Sequence, residues 1–420
     1  MPIRRYPQAL NAKRQTPSAE RQTWNSELET LSLVGSLNGL VGRMLHWLSK
    51  RVLLVLGVGF LVWSAEAQEE ITIGEVNPIS GAIGQYGTTC HAGIQLAIDQ
   101  INAAGGVLGK KIHLLTEDNQ SQPGQTSTII RKFVTRDKVV AIIGDLTSSA
   151  TMEGAPIAQA AKVPMVTPLA TNPKVTEIGD YIFRVCFIDE FQGRVMARFA
   201  LQNLKTTKAA ILTDVKQDYS VGLSGFFSES YTAGGGAVTK EQSYSSGDTD
   251  FRAQLTSIKA ARPEVVFLPG YYPEVSLILK QARQLGLNVP FIGCEAWDSP
   301  TLLQIAGSAA NGCFFSNQFS ADDPSPEVQD FARLYQGKFG NRPDNFAALG
   351  YDAARVVVDA IKRAGSAEPG AIRDALAQTR DFPGVSGSIT IDSKRNASKP
   401  VLILAIKDQR VQYFEKVNPN

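Results

Sequence analysis

Short apolar runs alternate with amphipathic segments along almost the whole chain after residue 70, and this alternation restricts the fold more than any other feature. Repeated strand–helix units build a mainly parallel sheet, because a parallel strand pair needs a crossover connection that a helix supplies. The pattern therefore predicts an α/β fold. The predicted strands span residues 71–76, 111–116, 139–144, 164–167, 182–187, 209–214, 265–269 and 290–293.

Two long helical segments and the last part of the chain complete this outline. Residues 86–103 carry apolar side chains at helical spacing and end before Gly105-Gly106, a common helix terminator. A second helical stretch covers 347–364, and the strand-like runs 387–392 and 401–407 follow it without an intervening helix. The strand–helix order is therefore predicted to change near the C-terminus.

The N-terminal part has the pattern of a secretory signal. Residues 52–63 are apolar, follow Lys50-Arg51 and precede the segment SAEA at 64–67. This is the order of basic region, short apolar region and A-x-A cleavage site. The apolar run is shorter than the roughly 20 residues of a membrane-spanning helix. We expect cleavage after Ala67 and export to the periplasm.

The signal lies far from the first residue of the chain. Signals of roughly 15–30 residues do not usually begin about 50 residues after the start. We therefore expect translation to start at Met44 rather than Met1, with a signal peptide over 44–67. Residues 1–43 would then be an over-extended reading frame, or a disordered leader if they are made.

The charge of the exported part argues against nucleic-acid binding. Residues 1–67 carry 8 of the 42 Lys and Arg residues and 4 of the 40 Asp and Glu residues, which leaves a formal charge of −2. No basic stripe remains as an electrostatic footprint for nucleic acid. The remaining 353 residues are enough for two domains with cores of their own.

The usual catalytic and metal-binding signatures are absent from the sequence. It contains no G-x-x-x-x-G-K-[ST], no H-E-x-x-H, no G-x-S-x-G and no G-x-G-x-x-G after a strand. His91 and His113 are the histidines of the exported part, and no Asp, Glu or Cys cluster with ligand spacing accompanies them. We expect neither an enzyme nor a metal or other cofactor.

The cysteines leave two interpretations open. Cys294 and Cys313 lie beside two apolar runs that predict neighbouring strands, and an oxidising compartment permits a disulfide between them. Sequence alone does not settle connectivity. Four buried free thiols, at Cys90, Cys186, Cys294 and Cys313, are the alternative.

A hydroxyl-rich turn after the predicted strand 139–143 suggests an anion site. The segment 144–151 reads GDLTSSAT, with Thr147, Ser148 and Ser149 where the next helix begins. The first N–H groups of a helix lack intrahelical partners and carry the positive end of the macrodipole, so they can hold a carboxylate. Ser and Thr are also common N-cap residues, and capping alone explains the segment equally well.

Several motifs together resemble a known family, the periplasmic binding proteins for leucine, isoleucine and valine. The resemblance spans residues 70–418, and the segment at 293–295 looks like the amino-acid branch of that family. The motifs are Gly84-Gln85-Tyr86-Gly87, Gly105-Gly106-Val107-Leu108-Gly109, Thr147-Ser148-Ser149, Ala170-Thr171-Asn172-Pro173, Gly270-Tyr271-Tyr272-Pro273-Glu274 and Gly293-Cys294-Glu295.

The resemblance implies a type I periplasmic binding protein, with two βα-sandwich lobes joined by a three-stranded hinge and a ligand cleft between them. Lobe 1 would take residues 69–188 and 319–396, and lobe 2 residues 189–318 and 397–420. Such a protein is a monomer that delivers a neutral or branched-chain L-amino acid to the permease and ATPase subunits of an ABC transporter. Binding of urea, short amides or another small polar solute is the alternative, as is a ligand-sensing domain.

The resemblance also implies roles for individual residues. Ser148 would hold the ligand carboxylate, helped by Thr171, while the Ala170 carbonyl, the Thr171 hydroxyl and Glu295 would take the ammonium group. Tyr219 and Tyr271 would form the lobe 2 wall. From the residues alone, an exposed carboxylate and packing tyrosines compete with these assignments. The other residues placed at the site are Tyr86, Leu146, Ser149, Asp189, Trp297 and Phe346.

Trp297 departs from the family pattern, which has small residues just beyond the acidic position. A bulky side chain at the cleft edge would narrow the side-chain pocket. The branched-chain preference is therefore open, and other neutral amino acids such as Ala, Pro and Phe remain candidates.

Overall fold

Two separate sheets organise the chain in the computed structural model, which describes residues 70–418. The first sheet has the order β2-β1-β3-β4-β5 and is parallel throughout. Its strands are β1 (Ile71–Asn77), β2 (Ile112–Asp118), β3 (Ala141–Gly144), β4 (Met165–Thr167) and β5 (Ile182–Arg184). The predicted leader, signal peptide and cleavage site lie outside the described residues.

The second sheet has the order β15-β14-β10-β9-β8-β6-β7. Strands β6 to β10 run parallel, whereas β14 is antiparallel to β10 and to β15. The strands are β6 (Lys208–Asp214), β7 (Ala237–Tyr244), β8 (Val265–Phe267), β9 (Phe291–Gly293), β10 (Cys313–Asn317), β14 (Val401–Lys407) and β15 (Arg410–Val417). A small antiparallel sheet joins β11 (Phe382–Gly384), β12 (Gly387–Ile391) and β13 (Ala397–Ser398).

Helices connect the parallel strands, as the sequence pattern predicts. Those that follow strands of the first sheet are α1 (Gly84–Ala103), α2 (Gln125–Lys132), α3 (Ser148–Ala161), α4 (Lys174–Glu177) and α5 (Asp189–Gln202). The helices that follow strands of the second sheet along the chain are α6 (Asp218–Ala233), α7 (Arg252–Ala260), α8 (Tyr272–Gln284), α9 (Pro300–Ala306), α10 (Pro326–Phe339), α11 (Asn345–Ala364) and α12 (Pro369–Ala377). No helix within residues 70–418 is long and apolar enough to cross a membrane.

The predicted α/β fold is confirmed, and all the predicted strands form. The polar strand β7, with the sequence AVTKEQSY, was not predicted, because it lies at a sheet edge and alternates poorly between buried and exposed positions. Strand β15 was missed for the same reason at the opposite edge. Edge strands of this kind carry charged side chains, which hide the periodicity of the strand.

The chain passes between the two sheets three times. It leaves the first sheet after β5. It returns to the side of the first sheet after β10, as the packing of α11 along α1 shows. The third passage falls between Ser398 and Val401, where β14 joins the second sheet. The passages agree with the expected order, whereas the residue limits given above for the two lobes stay a prediction.

The suggested disulfide between Cys294 and Cys313 is wrong, and all four cysteines are free and buried. The parallel register of β9 and β10 pairs Ile292 with Phe314 and Gly293 with Phe315. Cys294 and Cys313 are therefore three positions apart along the strands, roughly 10 Å. That separation exceeds the Cα distance of about 7 Å that a disulfide can span.

Glycines allow α1 and α11 to approach closely. A Cβ atom added to Gly93 would lie 2.0 Å from the carbonyl oxygen of Ala347, and one added to Gly350 would lie 2.5 Å from that of Cys90. Both contacts are with backbone, which cannot move aside without shifting a helix. The tight crossing therefore depends on the missing side chains.

Substitution Gly93→Ala should therefore destabilise the protein. Overpacking of this kind costs about 1–3 kcal/mol in the free energy of unfolding. Gly337→Ala in α10 is the control, because no atom lies within 4 Å of its added Cβ, and it should be neutral or stabilising by up to about 1 kcal/mol. Thermal melts of the two variants that shift together would contradict the close-approach argument.

Candidate ligand site

The N-terminus of α3 forms one end of the site. Thr147 is the N-cap, and its side-chain oxygen accepts from the amide of Ala150 at 3.4 Å. Ser148, which is buried, accepts through its Oγ from the amide of Asn172 at 3.2 Å, so its O–H can donate to a ligand. Thr147 therefore caps the helix, and the Ser148 hydroxyl is not used for capping. This end of the helix offers amide and hydroxyl donors and a positive dipole, as a carboxylate requires.

The segment after β4 carries Ala170 and Thr171. The carbonyl of Ala170 accepts from Arg184 Nη1 at 2.5 Å and from Cys186 Sγ at 3.6 Å. Both acceptor positions of this oxygen are occupied, which corrects the expectation that it holds an ammonium group. Thr171 differs, because its buried hydroxyl has no hydrogen-bond partner among residues 70–418.

Two buried carboxylates face the same region. Asp189 begins α5 and is fully buried, and Glu295 lies in the short 3₁₀ turn Glu295–Trp297 with 2% of its surface exposed. Glu295 Oε2 accepts from the hydroxyl of Tyr219 at 3.1 Å. Asp189 Oδ1 accepts a long bond of 3.5 Å from Gln192, and Oδ2 has no partner in the described part of the chain.

The ionised forms of both carboxylates are unfavourable in the empty site. Burial raises the pKa of Asp189 to about 7, although the neighbouring Thr171 hydroxyl and the positive charge of Arg184 oppose this. Burial and the charge of Asp189 raise the pKa of Glu295 to about 8, against the lowering effect of Gln192 and Tyr219. A buried charge needs a partner of opposite sign. An ammonium group between these side chains would supply both the charge and the missing N–H donors.

Aromatic and aliphatic side chains enclose the rest of the site. The rings of Tyr86 and Phe346 stack at 4.1 Å between centroids, and those of Tyr219 and Tyr271 stack at 5.4 Å. The cavity they enclose has a volume of about 20 Å³, which is room for about one water molecule. It is lined by Tyr86, Leu146, Thr147, Ser148, Leu169, Tyr219, Tyr271, Glu295, Ala296 and Phe346.

Hydrogen bonds across the cleft show that the structure is closed. The hydroxyl of Tyr86, on α1, donates to the carbonyl of Ala296 and accepts from the amide of Tyr272 at 3.0 Å. The hydroxyl of Tyr272 in turn donates to the carbonyl of Ala82 at 2.9 Å. Residues from both sheets therefore complete the cavity wall.

Trp297 does not narrow the cleft, contrary to expectation. Its side chain is 1% exposed and packs over Gly293, where an added Cβ would lie 2.1 Å from the indole. The indole Nε1 donates to the carbonyl of Leu268 at 3.2 Å. Because Gly293 has no side chain, the indole of Trp297 can pack directly against β9. The tryptophan therefore supports the Glu295 turn and does not line the cavity.

The cavity brings seven of the expected residues together, and Thr171, Asp189 and Ser149 are not among those that line it. Ser149 does not line the cavity, since its hydroxyl bonds to Asp218 across the cleft at 2.8 Å. Leu169 and Ala296 line it without having been predicted. Each adjoins a predicted residue, but small aliphatic residues carry no chemical signature. Within residues 70–418, no group of His, Cys, Asp and Glu could hold a metal ion.

Comparisons with known proteins agree with this architecture. The leucine-, isoleucine-, valine-, threonine-, and alanine-binding protein of Pseudomonas aeruginosa is 32% identical over 337 residues, which cover 80% of this chain and 89% of that protein. The crystal structure of leucine-binding protein LivK from Thermotoga maritima is 40% identical with a TM-score of 0.80, covering 83% of this chain and 99% of that one.

A second solved structure is similarly close. The branched-chain amino acid transporter substrate-binding protein LivJ from Streptococcus pneumoniae, in complex with isoleucine, is 35% identical with a TM-score of 0.80. The match covers 84% of this chain and 100% of that one. A family model described as periplasmic binding protein matches residues 70–410. The chain therefore belongs to the periplasmic binding protein family.

Proposed function

We propose that this protein is the extracytoplasmic solute-binding subunit of an ABC importer and that it binds neutral, hydrophobic L-amino acids. The observation that carries the proposal is the buried carboxylate of Glu295, which lies close enough to Asp189 to feel its charge, in the wall of a cavity that also includes a helix N-terminus. An amino acid is a zwitterion, and its two charged ends require these opposite environments.

In this proposal, each charged end of the ligand contacts a different part of the site. The carboxylate lies at Ser148 and the first turn of α3, where hydroxyl and amide donors meet the positive end of the helix. The ammonium group lies between Glu295, Asp189 and the unpartnered hydroxyl of Thr171. The ligand therefore supplies the counter-charge that the empty site lacks, and charge-assisted hydrogen bonds are the strong ones.

The ligand side chain is assigned to the apolar part of the cavity. Leu146, Leu169 and Phe346 offer carbon surfaces to that side chain. Because the closed cavity has only about 20 Å³, the ligand must widen it on binding. The ligands named for the relatives, leucine, isoleucine, valine, threonine and alanine, have small and mostly aliphatic side chains.

Closure around the ligand explains delivery to a transporter. A ligand that contacts both sides of the cleft shifts an open–closed equilibrium by its differential affinity for the closed form. In this proposal a permease recognises the closed monomer and a separate ATPase drives release and transport. The protein itself performs no chemistry, since the site contains no nucleophile paired with a base.

Binding of an uncharged solute such as urea or a short amide is the competing function. It is disfavoured because such a ligand would leave the Glu295 carboxylate, whose charged neighbour Asp189 is also acidic, without a counter-charge. The test is thermal unfolding of residues 68–420, refolded to remove carried-over ligand, with all amino acids, urea, short amides and sugars. Ligand at about 1,000 times its Kd adds roughly 4 kcal/mol. Stabilisation by amides or urea alone, or by no compound, would reject the proposal.

Substitution Glu295→Gln should weaken amino-acid binding by about 1.5–3 kcal/mol, the range for a hydrogen bond to a charged group. The same change should raise the melting temperature of the ligand-free protein at pH 8, because it removes a buried carboxyl that ionises only at a free-energy cost. Titration calorimetry and thermal melts measure the two effects.

Glu274→Gln is the matched control for this variant. Glu274 is also buried and burial raises its pKa, but it accepts from the Gly247 amide at 2.8 Å and does not line the inner cavity. Its substitution should leave ligand affinity unchanged. Equal affinity of Glu295→Gln and the wild type would remove Glu295 from the ammonium site.

Affinity should also depend on pH in a defined direction. The ammonium group prefers both carboxyls ionised, whereas the empty site is protonated below the pKa values of about 7 for Asp189 and about 8 for Glu295. Binding must therefore release protons at lower pH. The Kd should increase as pH falls from 8 to 5.5, by at most about tenfold per pH unit for each proton released.

The stability of the ligand-free protein should change in the opposite sense. A carboxyl whose pKa is raised by folding favours the native state at low pH and loses that contribution as pH rises through the folded-state pKa. Ligand-free melting temperatures should therefore fall between pH 5 and pH 8, and saturating ligand should reduce that fall. A Kd independent of pH over this range would show that no proton is displaced.

A further inference from the structure

The hydroxyl of Ser149 belongs to a set of hydrogen bonds that crosses the cleft. It donates to Asp218 Oδ2 at 2.8 Å and accepts from the Asp218 amide at 3.0 Å. The side-chain amide of Asn172 donates to the Asp218 carbonyl at 2.8 Å. We name these three residues the clasp. Ser149 and Asn172 follow strands of the first sheet, and Asp218 follows β6 of the second.

The clasp lies where two helices meet end to end. Ser149 is in the first turn of α3, and Asp218 is the first residue of α6. Both helix N-termini carry positive partial charge, so their approach on closure is unfavourable without an anion between them. The Asp218 carboxylate is a resident anion at this junction, because it lies in the first turn of α6 and accepts from the first turn of α3.

The clasp connects to the ligand site without being part of it. Asn172 also donates its backbone amide to Ser148, the residue assigned to the ligand carboxylate. Ser149 and Asp218 themselves line a separate space of about 650 Å³ at the cleft mouth and not the inner cavity. An effect of either residue on binding must therefore act through closure.

We propose that Ser149, Asp218 and Asn172 are positioning residues that hold the two halves of the protein closed and so set the affinity for the ligand. The proposal rests on the proposed function for the identity of that ligand. Contacts present in the closed form alone raise its population, and the apparent Kd falls as the closed population increases. The clasp therefore acts before any ligand is bound.

Helix α6 has room for the side chain of Asn172 because residue 222 is a glycine. A Cβ added to Gly222 would lie 2.8 Å from Asn172 Nδ2 and 3.8 Å from Asp189 Oδ2. Alanine there would displace the Asn172 amide from Asp218 while favouring the helix itself. Gly222→Ala is thus a steric test of the clasp that deletes no polar group. Gly225→Ala, on the same helix, meets no atom within 4 Å and is its matched control.

Affinity and kinetics form the first arm of the test. Ser149→Ala, Asp218→Ala and Gly222→Ala should each raise the Kd for leucine about five- to tenfold, mainly through faster dissociation. Asp218→Asn, which keeps an acceptor but loses the charge, should have a smaller effect. The double variant Ser149→Ala/Asp218→Ala should lose no more than Ser149→Ala alone, because the contact of the Asp218 carboxylate with Ser149 is already absent there.

Closure without ligand forms the second arm. Spin labels on Gln122→Cys and Lys216→Cys, exposed residues on the two sides of the cleft mouth, report the distance distribution between the halves of the protein. The clasp variants should shift this distribution toward longer distances in the absence of ligand. Glu327→Gln, which removes a charge from the first turn of α10, and Gly225→Ala should leave distances and Kd unchanged.

The two arms separate the clasp from the proposed function. If no amino acid binds the wild type, the proposed function fails, whereas the ligand-free distances still test the clasp. Wild-type distances and wild-type dissociation rates in the Ser149→Ala, Asp218→Ala and Gly222→Ala variants would overturn the clasp even when leucine binds. Similar changes in Glu327→Gln or Gly225→Ala would overturn it too, since they would reflect helix stability and not closure.

Discussion

Burying two carboxylates side by side is unfavourable unless a cation joins them, and the arrangement of the cleft depends on this constraint. Asp189 begins the helix after β5 and Glu295 follows β9, and both are buried close enough that the charge of Asp189 raises the pKa of Glu295. Arg184 lies nearby, but its guanidinium donates hydrogen bonds to the carbonyls of Ala170 and Asn172 and so fixes the segment after β4. In the proposed function, the ammonium group of the ligand supplies the positive charge that completes this site.

The parallel sheets bring the parts of the site together. Ser148, Thr171, Tyr271 and Glu295 each follow the C-terminal end of a strand, and Tyr219 follows β6 through a short turn. In open α/β sheets, ligands bind beyond the carboxyl ends of the strands. Two such edges facing each other across a cleft create a cavity whose wall has donors on one side and acceptors on the other.

Sequence reasoning could predict the strands, the long helices and the cavity-lining tyrosines, because periodicity and motif order carry that information. It could not predict where a backbone carbonyl points, and Ala170 was misassigned for that reason. It also misplaced Trp297, since only the structure reveals the space above Gly293. Ser148 and Ser149 look equivalent in sequence. Successive side chains on a helix point in different directions, however, and the Ser149 hydroxyl bonds across the cleft to Asp218.

The buried position of Trp297 has a practical consequence. Of the four tryptophans in the sequence, it alone lies within residues 70–418. Its indole is held by Leu268 and packed on Gly293, two residues from Glu295. Once residues 1–67 are removed, Trp297 is the one tryptophan that remains, so changes in tryptophan emission would report movement of the turn that carries Glu295 without any label.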